Sequence, residues 1–178
     1  MGIRKQWKIH KYKKYIENHR DNVQKAYCEM VMCPGLSFVN WTEDLCCKLK
    51  ERADNHDLSK YSEEEFEPYR KFYYPVDKEE KILGEIEFDA AWEHHWSNNW
   101  HHWQCRQYCN NEMTEEIYLG CLENVMDWLA MSYKFGDRPY QFWEKNKDKI
   151  KLPQVQMDLM RDLVYGLGDK PKDKGYRI

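Results

Sequence analysis

The chain has 178 residues and carries 28 Lys and Arg against 31 Asp and Glu, so its formal net charge is −3. This length suits one domain, and the charge balance lacks the basic excess typical of proteins that bind duplex nucleic acid. No run of about 18 apolar residues occurs and no apolar segment follows the basic start, so we expect a cytoplasmic protein without a membrane-spanning or membrane-anchored segment.

Apolar residues recur at three- and four-residue spacing along the first half of the chain, which predicts amphipathic helices. The first helix covers about residues 5–32 and includes His19 on its inner face. A second begins after Thr42 as N-cap and brings His56 inward at its last turn. Ser62 and Glu65 have the spacing of a capping box, which predicts a third helix that closes near residue 74.

The second half of the chain continues the helical pattern. We expect a charged connection over residues 76–83, a Trp- and His-rich helix over 85–107 and a strongly apolar helix over 114–135. Two shorter helices follow, over about 139–149 and 153–166. The predicted fold class is therefore all-α, a single-domain bundle of about five main helices and two short C-terminal ones over residues 1–168, with a flexible tail at 169–178.

The histidines are the most informative residues of the sequence. Six of the seven, all except His10, lie on faces that the pattern turns inward. An unpaired buried imidazole costs about 1 to 3 kcal/mol, so six of them as mere packing is implausible. At 100° per residue, His95 and His102 share one line of the predicted fourth helix, and His94 and His101 share another. We expect one of these two lines to face solvent.

His56 and Asp57 offer an imidazole and a carboxylate side by side at a helix end. Such a pair can bind one divalent ion together, or two ions with the carboxylate between them. Lys60 follows Asp57 by three residues, where an ammonium would compensate the charge of a substrate phosphate. The alternative interpretation is that Asp57 only caps the turn that follows.

Asp127 lies in the apolar fifth helix, where a buried carboxylate needs a cationic partner. Glu123, four residues earlier, shares its face. A metal ion would satisfy Asp127. The alternative is an ion pair with an arginine such as Arg70 or Arg106.

The order of these residues resembles that of the HD-domain superfamily of metal-dependent phosphohydrolases, and more narrowly a family of small bacterial and phage HD-like proteins over about residues 15–135. The resemblance implies a helical bundle of the HD-domain type, with one ion held by His19, His56, Asp57 and Asp127 and further histidines holding a second ion. It also implies that Lys60 contacts phosphate. The matching positions are His19, Asn55-His56-Asp57-Leu58-Ser59-Lys60-Tyr61-Ser62, Glu65-Phe66, Tyr69, His95, Asn99, His101, His102, Glu123 and Asp127-Trp128.

These residues together suggest a phosphohydrolase that acts on a nucleotide or another small phosphate ester. One or two divalent ions, Mn, Mg, Fe, Zn or Co, would activate a water, and the hydroxide would attack phosphorus. Asp57 and Lys60 are the candidate catalytic residues, with Glu123 grouped beside them as an orienter of the metal ligands. His95, His101 and His102 are the candidate ligands of the second ion. The oligomeric state stays open.

Two other functions are consistent with the sequence. Imidazole and carboxylate ligands also suit iron, so an HD-type di-iron oxygenase would use the same site. A non-catalytic, metal-stabilised interaction module would instead present aromatic residues of the C-terminal helices, such as Tyr140, Trp143 and Tyr165, to a partner protein.

Overall fold

A computed structural model describes residues 2–168, and within this range the chain forms helices and turns without a β-strand. The predicted all-α fold class is confirmed, whereas the predicted flexible tail at 169–178 lies outside the described residues. The α-helices are α1 Ile3–Val31, α2 Glu43–Asn55, α3 Glu63–Tyr73, α4 Lys78–Asn98, α5 Trp103–Arg106, α6 Glu115–Phe135, α7 Pro139–Asn146 and α8 Gln154–Gly166. None of these helices is long and apolar enough to cross a membrane.

Two threonine caps define where α2 and α6 begin. Thr42 Oγ1 accepts a hydrogen bond of 3.2 Å from the backbone N–H of Leu45, and Thr114 Oγ1 accepts one of 3.3 Å from Ile117. Each bond satisfies a donor that the first turn of a helix leaves free. The predicted starts of these two helices are therefore confirmed.

The predicted boundaries of the fourth helix are wrong at both ends. Asp77 caps α4 by accepting a 2.8 Å hydrogen bond from Glu80 N–H, so the helix already includes most of the predicted charged connection. At the other end, the amides of Asn98 and Asn99 donate to the carbonyls of His94 and His95, at 2.7 and 2.6 Å. These side chains compete with the helical ladder, and α4 stops at Asn98.

The predicted capping box at Ser62 is also wrong. Ser62 precedes α3, but its side chain makes no capping hydrogen bond. The carboxylate of Glu65 turns away from the helix start and contacts His94 and His95 on α4. Tyr73, the last residue of α3, is more than half exposed.

Two apolar clusters hold the helices together. The larger surrounds α6, which is buried along almost its whole length, and includes the second half of α1, α2 and α8. The smaller joins Tyr12 and Ile16 of α1 to Tyr69 of α3 and Ala91 of α4. Along α1, buried His19 falls between Ile16 and the first residue of the larger cluster, Val23. Polar side chains thus meet at the boundary between the two clusters.

Candidate metal centre

Three separated segments bring four donor side chains together at this boundary. His19 comes from α1, His56 and Asp57 follow α2, and Asp127 comes from α6. Nε2 of His19 lies 3.1 Å from Asp127 Oδ1, 3.4 Å from Asp57 Oδ2 and 3.4 Å from Nε2 of His56. Ligands bound at about 2.1 Å are about 3.0 Å apart in octahedral and about 3.4 Å apart in tetrahedral geometry. Nε2 of His56 is farther from the carboxylates, 3.7 Å from Asp57 Oδ1 and 3.8 Å from Asp127 Oδ1. The donor atoms of His19, His56 and Asp57 lie within 4.8 Å of one another and Asp127 adjoins them, so these four residues, the first donor group, could hold one ion.

A second donor group adjoins the first and shares Asp57 with it. Its other members are His95, His101 and His102, and the four donor atoms all lie within 4.8 Å of one another. Asp57 Oδ1 is 3.3 Å from Nε2 of His95 and 3.6 Å from Nε2 of His101. Nε2 of each of these three histidines is buried without a hydrogen-bond partner in the described part of the chain. Buried nitrogens in that state are available to coordinate an ion or to bind water.

The early end of α4 explains how adjacent histidines reach one point. His95 is the only one of the three on the helix, while His101 and His102 lie in the turn between α4 and α5. The prediction that His101 and His102 lie on the fourth helix, in line with His94 and His95, is therefore wrong because α4 ends at Asn98. The turn reverses the chain, so the rings of His95 and His102 have centroids 4.7 Å apart and those of His101 and His102 4.2 Å. His94 points to Glu65, with 37% of its side chain exposed.

Glu123 supports both donor groups from α6. Its Oε1 accepts a hydrogen bond from Nδ1 of His56 at 3.0 Å and lies 3.2 Å from Nδ1 of His101. Arg52 donates to the other oxygen of Glu123 at 3.1 Å. A ring whose Nδ1–H donates to a carboxylate presents Nε2 as its metal-binding nitrogen. Glu123 thus contacts histidines of both donor groups, and its role as an orienter of metal ligands stays a prediction.

Glu65 contacts Nδ1 of His95, as Glu123 contacts Nδ1 of His56. The sequence analysis did not identify this role of Glu65. This fully buried carboxylate accepts a 2.7 Å hydrogen bond from Nδ1 of His95 and lies 2.9 Å from Nδ1 of His94. Ser59 also donates to it, at 3.2 Å. The available signal was that the pair Glu64-Glu65 precedes the pair His94-His95 by 30 residues. The spacing of Ser62 and Glu65 suggested a capping box instead.

Asp57 is held in an unusual backbone conformation. Its φ of 59° and ψ of 18° are left-handed, which costs about 1 to 3 kcal/mol for a residue other than glycine. It stands at the start of the following turn, but its side chain makes no capping hydrogen bond there. Both carboxylate oxygens instead face the histidines, and Oδ2 accepts a 2.6 Å hydrogen bond from Lys60 Nζ. Capping therefore does not explain this carboxylate.

The two arginines considered as partners of Asp127 lie elsewhere. Arg70 donates to Glu80 at 2.7 Å, and Arg106 donates to Asn124 at 3.0 Å. Asp127 contacts the histidines of the first donor group instead. Its partners therefore belong to the candidate centre.

Electrostatics keep most of the donors in the forms that bind metal. Burial opposes ionisation of Asp57, but Lys60 and His56 hold its pKa well below the usual range. Burial lowers the pKa of His101 and that of His102, and neighbouring imidazoles lower both further, so both rings stay neutral. His56 and His95 differ. Burial lowers the pKa of His95, but Asp57 and Glu65 raise it above its usual value. Burial also lowers the pKa of His56, but Asp57 and the other nearby carboxylates raise it to about 10, so His56 must lose a proton when it binds a metal.

Three cavities surround the two donor groups. One of about 480 Å³ is bounded by His19, Tyr15 and Lys134. A second, of about 290 Å³, contains Asp127 and His102 in an otherwise largely aromatic wall. A third, of about 240 Å³, contains Lys60 among aromatic residues of α1, α3 and α4. Small molecules therefore have space on several sides of the centre.

A family model matches residues 8–166, and its description is "Family of unknown function (DUF5662)". The match covers most of the chain, so the chain belongs to this family. None of the curated proteins and none of the solved structures matches it.

Proposed function

We propose that this member of the DUF5662 family is a metal-dependent phosphohydrolase that acts on a nucleotide or another small phosphate ester. The observation that carries the proposal is the position of Asp57, whose carboxylate belongs to both donor groups while Lys60 stands 2.6 Å from it. A carboxylate between two ion sites can orient the attacking water, and an ammonium beside it can stabilise negative charge on a phosphoryl group during transfer.

The donor chemistry favours transition metals over magnesium or calcium. The first group would hold an ion with two imidazoles and two carboxylates, and the second with three imidazoles and the shared Asp57. Imidazole nitrogen suits Zn, Fe and other late first-row ions, while Mg and Ca prefer oxygen. Bound ions would lower the pKa of a coordinated water and polarise phosphoryl oxygens.

The chain's own residues have distinct parts in the reaction. Asp57 orients the attacking water, because its oxygens face both donor groups. Lys60 compensates negative charge on the phosphoryl oxygens. Glu123 and Glu65 fix the histidine rings through Nδ1, which keeps each Nε2 directed inward.

The largely aromatic cavity beside Asp127 and His102 supports an aromatic leaving group such as a nucleoside. Its volume of about 290 Å³ is near the lower end of that of small-molecule sites. Gln104, Asn124 and Asp137 supply polar groups at its wall, and its aromatic residues are Trp92, Trp103, Trp128, Phe135 and Phe142. Flat rings stack on such side chains, and the polar groups can bind the edge of a base.

The order of His19, His56-Asp57 and Asp127 along the chain supports a relationship with the HD-domain superfamily. On that relationship the DUF5662 family would be a branch of the superfamily with extra histidines after α4. The short distances from Nε2 of His19 to Asp57 and Asp127, 3.4 and 3.1 Å, support this proposal.

The test is to load purified protein separately with Mn, Zn, Fe, Co and Mg and to screen phosphate esters, including nucleotides. We expect metal-dependent release of phosphate or nucleoside, abolished in Asp57→Ala and by chelator. Activity that survives in Asp57→Ala would refute the assignment. An iron-loaded sample that hydrolyses nothing but shows an oxygen-dependent optical change would favour the di-iron oxygenase.

The interaction-module alternative has less support from the C-terminal helices. Trp143 is buried in the larger cluster, and Tyr140 is packed against that cluster. Tyr165 is half exposed, and its hydroxyl donates to Glu144 at 2.5 Å. Two of these three aromatic residues thus contribute to the core. Melting unchanged by chelator, with a partner still captured by His56→Ala, would revive this alternative.

A further inference from the structure

The cavity beside Lys60 contains two buried tyrosine hydroxyls that the proposed reaction does not use. Tyr12 of α1 is 1% exposed and Tyr69 of α3 is 5% exposed, and both line the cavity of about 240 Å³ together with Lys60. Neither hydroxyl has a hydrogen-bond partner in the described part of the chain. Two polar groups of the same kind thus remain unsatisfied in one cavity.

Packing alone does not account for these hydroxyls. The rings of Tyr12 and Tyr69 fill the smaller apolar cluster, where phenylalanine would pack equally well. A buried hydroxyl without a partner is unfavourable, and native proteins contain few of them. Two such tyrosines in the wall of one cavity leave two donors available to water or to a ligand bound there.

The charges around the cavity favour an anion as that ligand. Lys60 directs one of its three N–H donors to Asp57 at 2.6 Å, which leaves two for other partners. Burial, more than any other cause, raises the pKa of Tyr12 and that of Tyr69 far above their usual value, so both hydroxyls stay protonated and can donate. Two carboxylates, Asp57 and Glu65, also act on these tyrosines. The charge of Asp57 is offset by Lys60 and His56, and Glu65 has His95 and His94 as partners.

We propose that Tyr12, Tyr69 and Lys60 form a receptor for a phosphoryl group, with both hydroxyls donating to phosphate oxygens on the Lys60 side of Asp57. The proposal rests on the proposed phosphohydrolase function and adds the residues that position the phosphate. Tyr15, Tyr73, Phe88 and Trp92 complete the wall and limit the space around it.

The experiment measures binding of inorganic phosphate by calorimetry to the wild type, to Tyr12→Phe, to Tyr69→Phe and to the double variant. Each single change removes one hydroxyl, and we expect it to weaken phosphate binding about ten-fold, with a larger loss in the double variant. Tyr108→Phe is the matched control because Tyr108 is 87% exposed and outside the cavity, so its affinity should equal that of the wild type.

Melting curves separate the receptor from a structural role. Phenylalanine removes an unsatisfied buried hydroxyl, so the ligand-free melting temperature should stay the same or rise, while the stabilisation by phosphate should diminish. Unchanged phosphate affinity in the double variant would overturn the receptor and assign the hydroxyls to bound water. Absence of phosphate binding by the wild type, or equal binding of acetate, would also overturn it.

Failure of this receptor and failure of the phosphohydrolase give different results. Phosphate binding that depends on the two tyrosines, without hydrolysis by any metal-loaded sample, would retain the receptor and remove the hydrolase. Hydrolysis with unchanged KM and kcat in both single variants, together with unchanged phosphate affinity, would retain the hydrolase and remove the receptor.

Discussion

Nδ1 of His56 lies 3.0 Å from Oε1 of Glu123, and this hydrogen bond leaves Nε2 of the ring directed toward Asp127, 3.8 Å away. Glu123→Gln keeps the shape of the side chain but removes the negative charge that makes the ring a stronger ligand. We expect metal affinity to fall about 10- to 100-fold, the usual effect of losing such a partner. Competition with a chromophoric chelator measures it.

Glu116→Gln is the control for this change. Glu116 pairs with the same Arg52 but is largely exposed and contacts neither donor group. Its loss should leave metal affinity unchanged. Equal affinities of the Glu123→Gln variant and the wild type would show that the hydrogen bond to His56 does not tune the centre.

The two donor groups predict two ions that can be removed independently. His19 belongs only to the first group and His102 only to the second, whereas Asp57 belongs to both. We expect two ions per chain in the wild type, one in His19→Ala, one in His102→Ala, and weakened binding of both in Asp57→Asn. Elemental analysis after gel filtration counts them. Two ions retained by His102→Ala would exclude that residue as a ligand.

Metal binding should release a proton from His56. Its pKa is about 10 in the metal-free protein, so at pH 7 the ring is protonated and must become neutral before Nε2 can bind. Loss of this one proton should therefore raise the logarithm of the metal affinity by about one for each unit that the pH rises, up to about pH 10. Calorimetry in buffers of different ionisation enthalpy counts the protons. His10→Asn, at an exposed site, should leave that count unchanged, and His56→Asn should lower it.

Stability of the metal-free protein should fall at both extremes of pH. The pKa values of Asp57, Glu123 and Asp127 are lower in the folded chain than in the unfolded one, so their contribution is present above about pH 4 and is lost as pH falls further. The contribution of His56 to stability depends on pH in the opposite direction. Its raised pKa stabilises the fold fully below about pH 6.5, and this is lost as pH rises through about 10. Melting temperatures across pH test both limbs.

Local sequence signals predicted the elements that local interactions determine. The caps at Thr42 and Thr114 are satisfied within one turn, so their residue types alone identify the helix starts. His19, His56 and Asp127 also stood out locally, because polar residues on apolar faces need partners. The end of α4 also has a local signal in Asn98 and Asn99, whose amides donate to helical carbonyls, but the sequence analysis did not use it.

The errors arise where contacts distant in sequence decide the outcome. Buried Arg106 donates to the carbonyl of Trp100 and to Gln156 on α8, which holds the turn that replaces the predicted helix. Glu65 had the spacing for a cap, but hydrogen bonds to histidines about 30 residues away determine its orientation. Periodicity reports neither kind of contact, because both depend on how separate helices pack.

Gly120 connects the packing of α6 to the second donor group. A Cβ at this position would lie 2.9 Å from the carbonyl oxygen of Trp100, closer than Cβ atoms normally approach, and 3.2 Å from Cδ of Arg106, a tight contact. The turn that carries His101 and His102 rests directly on this glycine. The backbone carbonyl cannot move without the turn, so Gly120→Ala should displace both histidines while His19, on α1, stays in place.

We therefore expect Gly120→Ala to melt at a lower temperature and to bind one ion per chain, the one held by the first donor group. Gly166→Ala is the control, since its Cβ would lie 2.6 Å from the carbonyl oxygen of Gly35, an even closer approach outside both donor groups. It should lower the melting temperature but retain two ions, because the turn after α4 is undisturbed. Elemental analysis with melting curves separates the two effects. Equal ion counts in both variants would mean that the close approach at Gly120 does not position the histidines.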